Sequence, residues 1–198
     1  DETSYEKHWS GYERVYRTGI KADMMGQKMD APVSPSPMAN AFRTEFTDVE
    51  TATRIQASSQ EILMRHEQTK VYIQHGVSAD STFFKVFDYE FIHGNPTTAL
   101  KEDNAVVLTE ESARKLFGDK NPMGEIVNYD NRRDLIVKGV VKEPKGHSHF
   151  QFDMFIADNN IENVWLSNNF KTYIKLKEGA DVTDFEVKMK ANFMKKIE

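Results

Sequence analysis

One stretch limits the fold of this chain more than any other. Ala105 to Leu108 is a short run of β-formers, and helical signals begin on the next residue. Thr109 is placed as the helix cap, Glu110 and Glu111 fill the first turn, and Arg114 and Lys115 fill the last. These charges complement the two ends of the helix dipole. Gly118 supplies the stop, because helices commonly end on a residue with positive φ that glycine adopts without strain. Ala113, Leu116 and Phe117 form the apolar face. A strand that passes directly into an amphipathic helix belongs to a mixed α and β fold.

The same alternation of periods recurs elsewhere. Tyr12 to Thr18 reads as a strand. Lys21 to Asp30 has no clear period and reads as a loop or a hairpin. Ser36 and Pro37 are placed as N-cap and first turn of a helix carrying Met38, Ala41, Phe42 and Phe46. Val49 to Ala57 follows as a strand. Ile62 to Met64 and Val71 to Ile73 are two short strands with a six-residue polar loop between them. Ser78 to Asp80 caps a short aromatic helix with Phe83, Phe84 and Phe87. Glu125 to Tyr129 and Leu135 to Lys142 form a hairpin with Asp130 to Arg133 at its tip. Phe150 to Ile156 alternates as a half-buried strand. Thr172 to Lys177 is a strand, and Thr183 and Glu186 form a capping box ahead of Phe185, Met189, Phe193 and Ile197.

The outer parts therefore read β-α-β and β-α around a strand-rich middle. Two right-handed β-α-β units on one antiparallel sheet make a ferredoxin-like lobe. The expected fold is α+β in two lobes, with a β-rich lobe inserted into the ferredoxin-like one. The second unit lacks its closing strand, so the chain is expected to be a trimmed segment.

Composition closes several functional routes. The 198 residues hold 26 Lys and Arg against 31 Asp and Glu, a net charge of −5, which opposes nucleic-acid binding. There is no cysteine, so thiolate metal sites and cysteine nucleophiles are absent. No run approaches the roughly 20 apolar residues of a membrane span. No glycine-rich phosphate loop, nucleophile elbow or zinc-protease motif occurs.

Few residues remain as candidates for chemistry. His147, His149 and Asp153 share one face if extended, and two histidines with a carboxylate suit zinc or iron. A loop-to-strand junction explains them without a metal, and no water-activating base accompanies them. The expectation is no enzyme activity, no cofactor and no metal. Arg132 and Arg133 at the hairpin tip, and Met24, Met25 and Met29 in the early Met-rich stretch, are the candidate partner contacts. Methionine surfaces adapt to varied apolar partners.

Several motifs in sequence order carry a family resemblance. They are Asp1-Glu2-Thr3-Ser4-Tyr5-Glu6-Lys7-His8-Trp9 running into Glu13 to Arg17, Ala79 to Asp88, Val107 to Asp119 with Asn121-Pro122-Met123-Gly124, Val137 to Val141, and Ser148 to Asp153. Together they resemble the MacB-like periplasmic core domain of FtsX-type ABC transporter permeases, in the form typical of the Bacteroidetes. The resemblance covers nearly the whole chain. It implies a non-catalytic domain on the periplasmic side of the inner membrane, between two transmembrane helices of an integral membrane protein. It implies a membrane-proximal lobe, residues 1–75 and 165–198, and an inserted distal lobe, residues 76–164. It implies partners too: the protein's own transmembrane helices, a cytoplasmic ABC ATPase, and an envelope protein or exported substrate. The isolated domain is expected to be a monomer and the full permease a dimer. ATP-driven motion would pass through the domain in efflux, lipoprotein transport or cell-wall hydrolase control. The alternative is an extracytoplasmic sensor module that binds a ligand or peptide.

Overall fold

The computed structural model describes residues 9–24, 27–143, 150–166 and 168–197. A 3-10 turn, Tyr12–Arg14, precedes β1 (Val15–Arg17). Then come β2 (Ile20–Met24), β3 (Gln27–Ala31), β4 (Ser34–Pro35), α1 (Met38–Glu45) and β5 (Val49–Ala57). The middle holds β6 (Ile62–His66), β7 (Thr69–Ile73), β8 (Gly76–Ala79), α2 (Phe83–Val86) and β9 (Phe91–Gly94). It continues with β10 (Ala105–Thr109), α3 (Glu110–Phe117), β11 (Ile126–Tyr129), β12 (Arg133–Val141) and β13 (Met154–Ala157). The chain closes with β14 (Asn168–Leu176) and α4 (Val182–Ile197). The fold is α+β.

The chain forms two compact units, Asp1–Tyr12 with Ile55–Asn160, and Glu13–Arg54 with Ile161–Glu198. The chain crosses at residues 12/13 and returns to the larger unit within β5, at 54/55. The physical reason is strand pairing. β6 pairs with both β7 and β11, which ties residues 62–73 to the larger unit. The chain start belongs there as well, because the Trp9 ring packs 4.7 Å from Tyr89 and 5.8 Å from Phe87.

In the larger unit the strand order is β8-β13-β10-β12-β11-β6-β7, and β9 pairs the last residues of β12. The sheet is mixed: β10 runs parallel to β12 and β8 parallel to β13, while β10 and β13 are antiparallel. α3 packs on the sheet through Ala113, Leu116 and Phe117, which share a core with Ile62, Met64, Val106, Leu108 and Val137. Gly139 sits opposite Gly94, and a Cβ on Gly139 would lie 2.8 Å from the Phe91 ring, so glycine is required for β9 to approach.

Central position changes the reading of β13. The sequence alternation implied one buried face, but all four residues of β13 are buried, and Phe150 and Phe152 lie before the strand. A strand with hydrogen-bonded neighbours on both sides and side chains covered above and below reads as a continuous apolar run.

In the smaller unit β14 lies between β1 and β5, β4 pairs β14, and β2 with β3 form a separate hairpin. α1 and α4 share one apolar cluster with the sheet, including Phe42, Phe46, Ile174, Leu176 and Phe185. Two cap assignments change. Ser36 does not cap α1; its Oγ accepts hydrogen bonds from the fully buried Arg54 and from the Glu162 N–H. Asp181, not Thr183, holds the start of α4, accepting the N–H groups of Thr183 at 2.8 Å and Asp184 at 3.1 Å. A carboxylate is a stronger acceptor than a hydroxyl.

Candidate functional site

Among the described residues, the β7–β8 turn, α3 and the residue before β13 line a charged cleft. Parallel pairing of β8 with β13 sets Gly76 beside Met154. The residues just before them, His75 and Asp153, therefore meet. The Asp153 carboxylate accepts the His75 backbone N–H at 3.1 Å and lies 3.2 Å from its Nδ1, while the Asp153 N–H donates to the His75 carbonyl at 2.9 Å. The Asp153 carbonyl in turn receives the Thr109 N–H. This links the cleft to the start of α3.

From α3 come Glu111, Ser112 and Lys115, which with Tyr72, Ile73, Gln74, His75 and Asp153 line a cleft of about 320 Å³. Glu111 and Lys115 pair across one helical turn at 2.6 Å. The Lys115 ammonium, through its hydrogen bond and then its charge, holds the Glu111 carboxyl below the usual glutamate range. The same hydrogen bond raises Lys115. Ser112 is buried in the helix cap, where its hydroxyl accepts from Thr109 Oγ1 at 3.2 Å. Glu111 is thus paired with Lys115 and Asp153 with His75, an arrangement that positions these side chains against one another.

The hairpin tip is a tight, hydrogen-bonded turn. Asp130 and Asn131 have φ of 51° and 55°, and the Arg132 N–H donates to the Tyr129 carbonyl at 2.9 Å. Positive φ at both central residues defines a type I′ turn, whose twist matches a hairpin. The Asp130 N–H also donates to Leu63 in β6 at 2.7 Å. Arg132 pairs with Asp130 at 3.2 Å and is 76% exposed. Arg133 lies over the Tyr129 ring at 5.5 Å, because these two residues are direct cross-strand partners. Arg132 projects its charge outward; Arg133 is partly spent on the ring.

Met24 pairs Gln27 and Met29 pairs Ala22 in the β2–β3 hairpin. Met25 lies outside the described residues, as do His147 and His149. The hairpin and the arginine tip belong to different compact units. Asp153, which would share a face with His147 and His149 in an extended chain, is held by His75. Nothing in the sequence marks that pair, since the two residues are 78 positions apart and meet through the β8–β13 register. Among the described residues no group of three or more metal-ligating side chains gathers.

Comparison with known proteins then places the chain. The model of the MacB-like periplasmic core domain matches residues 6–192. The chain belongs to that family. The fold is shared with a domain of a putative permease from Porphyromonas gingivalis, at TM-score 0.77 and 20% identity, covering 93% of this chain and 86% of that one. It is shared with the periplasmic region of MacB from Actinobacillus actinomycetemcomitans, at TM-score 0.63 and 15% identity over 88% and 80% of the two chains. The extracellular domain of the noncanonic ABC-type transporter YknZ from Gram-positive bacteria matches at TM-score 0.59 and 14% identity, over 86% of each. No curated protein sequence matches. The chain is therefore an extracytoplasmic domain of the kind carried by ABC transporter permeases, a non-catalytic part of such transporters. No described helix is long and apolar enough to cross a membrane.

Proposed function

We propose that this domain transmits ATP-driven movement of a permease to an envelope partner or an exported substrate. The family match across residues 6–192 carries the reading. Within it, the unit Glu13–Arg54 with Ile161–Glu198 is the membrane-proximal one, and the larger unit offers the partner surface. The transmembrane helices and a cytoplasmic ABC ATPase supply the motion, in a permease that pairs as a dimer, while the isolated domain is monomeric.

The arginine tip supports a partner role physically. A charged, exposed loop fixed by a tight turn recognises a partner with little ordering cost and without disturbing the core. The test is Arg132→Glu with Arg133→Glu in the full transporter. Circular dichroism of the isolated domain should be unchanged, and partner binding or transport-linked ATPase activity should fall. Unchanged coupling would move the partner surface elsewhere, with the β2–β3 hairpin next. Loss of folding would make the tip structural.

A further inference from the structure

Helix α4 carries a second apolar stripe on the side away from its core. At 100° per residue, Phe185, Met189 and Phe193 span about 80° of the helix circumference. These three contribute to the cluster of the smaller unit. Met194, Val187 and Ala191 span about 60° on the opposite side. Val187 is 64% exposed, Met194 54%, and Ala191 is exposed too. Lys190 and Lys195 each sit about 40° beyond this stripe, one on either edge.

Those two lysines differ from the others on the helix. Lys188 pairs with Asp184 at 2.6 Å and Asp48 at 3.3 Å, and Lys196 pairs with Glu45 at 2.8 Å. Among the described residues no ion pair engages Lys190 or Lys195, and both are exposed. Asp184, the acid nearest the stripe, is held by Lys188. Glu186 is exposed one turn before Lys190, about 80° from the edge of the stripe. A single exposed aliphatic residue on a surface is ordinary. Three in one row, edged on both sides by uncompensated ammonium groups, form the pattern of a helix lying in a membrane interface.

We propose that α4 rests on an anionic phospholipid surface. Val187, Ala191 and Met194 enter the boundary between headgroups and acyl chains, and Lys190 and Lys195 reach lipid phosphates with their stems along the stripe. Charge complementarity selects the occupant. The chain as a whole carries −5, so attraction to anionic lipid has to come from a local cationic edge, which Lys190 and Lys195 supply here. From Val187 to Lys195 the contact runs about 12 Å along α4. The physiological setting rests on the extracytoplasmic reading above; the binding itself does not.

The experiment is co-sedimentation of the chain with vesicles of phosphatidylcholine and phosphatidylglycerol in equal parts, at low salt, with pure phosphatidylcholine as the control. The chain should pellet with the anionic vesicles at millimolar lipid and be released by added salt. Lys190→Gln with Lys195→Gln should weaken partitioning by about thirtyfold, from the loss of two surface-held charges. Val187→Ser with Met194→Ser should weaken it by about tenfold or more. All four positions are exposed, and circular dichroism checks that each variant folds. Failure of the chain to pellet, or pelleting of either double variant equal to that of the unsubstituted chain, overturns the proposal. So does a concentration-dependent dimer that Val187→Ser with Met194→Ser abolishes, since the stripe then binds a second copy. The arginine-tip experiment reads a different unit, so either reading can fail while the other stands.

Discussion

Phe155→Ala tests the core of the larger unit most directly. Phe155 is fully buried in β13, paired with Val107 of β10 and Val77 of β8. Its ring lies 5.1 Å from Phe83, 5.1 Å from Phe84, 5.0 Å from Tyr89 and 5.9 Å from Phe152. Truncating a buried Phe costs about 3–5 kcal/mol through lost transfer energy and the cavity left behind. Each well-oriented aromatic pair adds about 0.5–1.5 kcal/mol beyond its area, though such pairs share one ring and do not sum. The site cannot collapse easily, because both flanking strands are held by backbone hydrogen bonds. We therefore expect a loss near the top of the range, about 4–5 kcal/mol. That is a large share of a domain's usual stability of about 5–15 kcal/mol. Urea unfolding should be followed by fluorescence and far-UV circular dichroism. Trp9 belongs to the same aromatic cluster through Phe87 and Tyr89, so it reports this unit. Phe152→Ala, at a half-buried ring before the strand, should cost less than about 2 kcal/mol. A Phe155→Ala loss below about 1.5 kcal/mol, or equal losses at both positions, would refute the packing argument.

Three smaller predictions concern α3. Thr109→Ala removes the oxygen that accepts the buried Ser112 N–H at 3.3 Å, and should cost about 1 kcal/mol in urea midpoint analysis, with Thr109→Ser recovering most of it. Gly118 sits at φ 65°, ψ −130°, with open space where a Cβ would go, so Gly118→Ala should destabilise through backbone strain alone, by about 1–3 kcal/mol. Glu111 titrates below the usual glutamate range, so its pairing with Lys115 contributes above the unfolded-chain pKa and is lost as pH falls through the lowered folded value. Carboxyl NMR titration should show that low midpoint, and Lys115→Met should return it to the ordinary range; an unchanged midpoint in the variant would remove Lys115 as the cause.

Local signals made β10 and α3 legible residue by residue. The cap, the charged turns, the apolar face and the glycine stop all act within four or five positions of one another. The hairpin of β11 and β12 was legible for the same reason, though its tight turn depends on positive φ at Asp130 and Asn131, which a polar run only hints at. The loop between β6 and β7 shortened from six residues to Glu67 and Gln68, because strand pairing extended through Arg65 and His66. Competition for partners decided the rest. Ser36 and Thr183 are both plausible caps, yet a buried guanidinium claims the first and a nearby carboxylate displaces the second. β13 looked half-buried because alternation shows one covered face and cannot show that neighbours cover the other. The boundary inside β5 and the meeting of His75 with Asp153 were invisible for a deeper reason. A strand's sequence specifies which of its faces is apolar, but its edge hydrogen bonds are the same backbone groups in every strand. Which strand lies beside it, and so which distant side chains meet, is settled only when the whole sheet assembles.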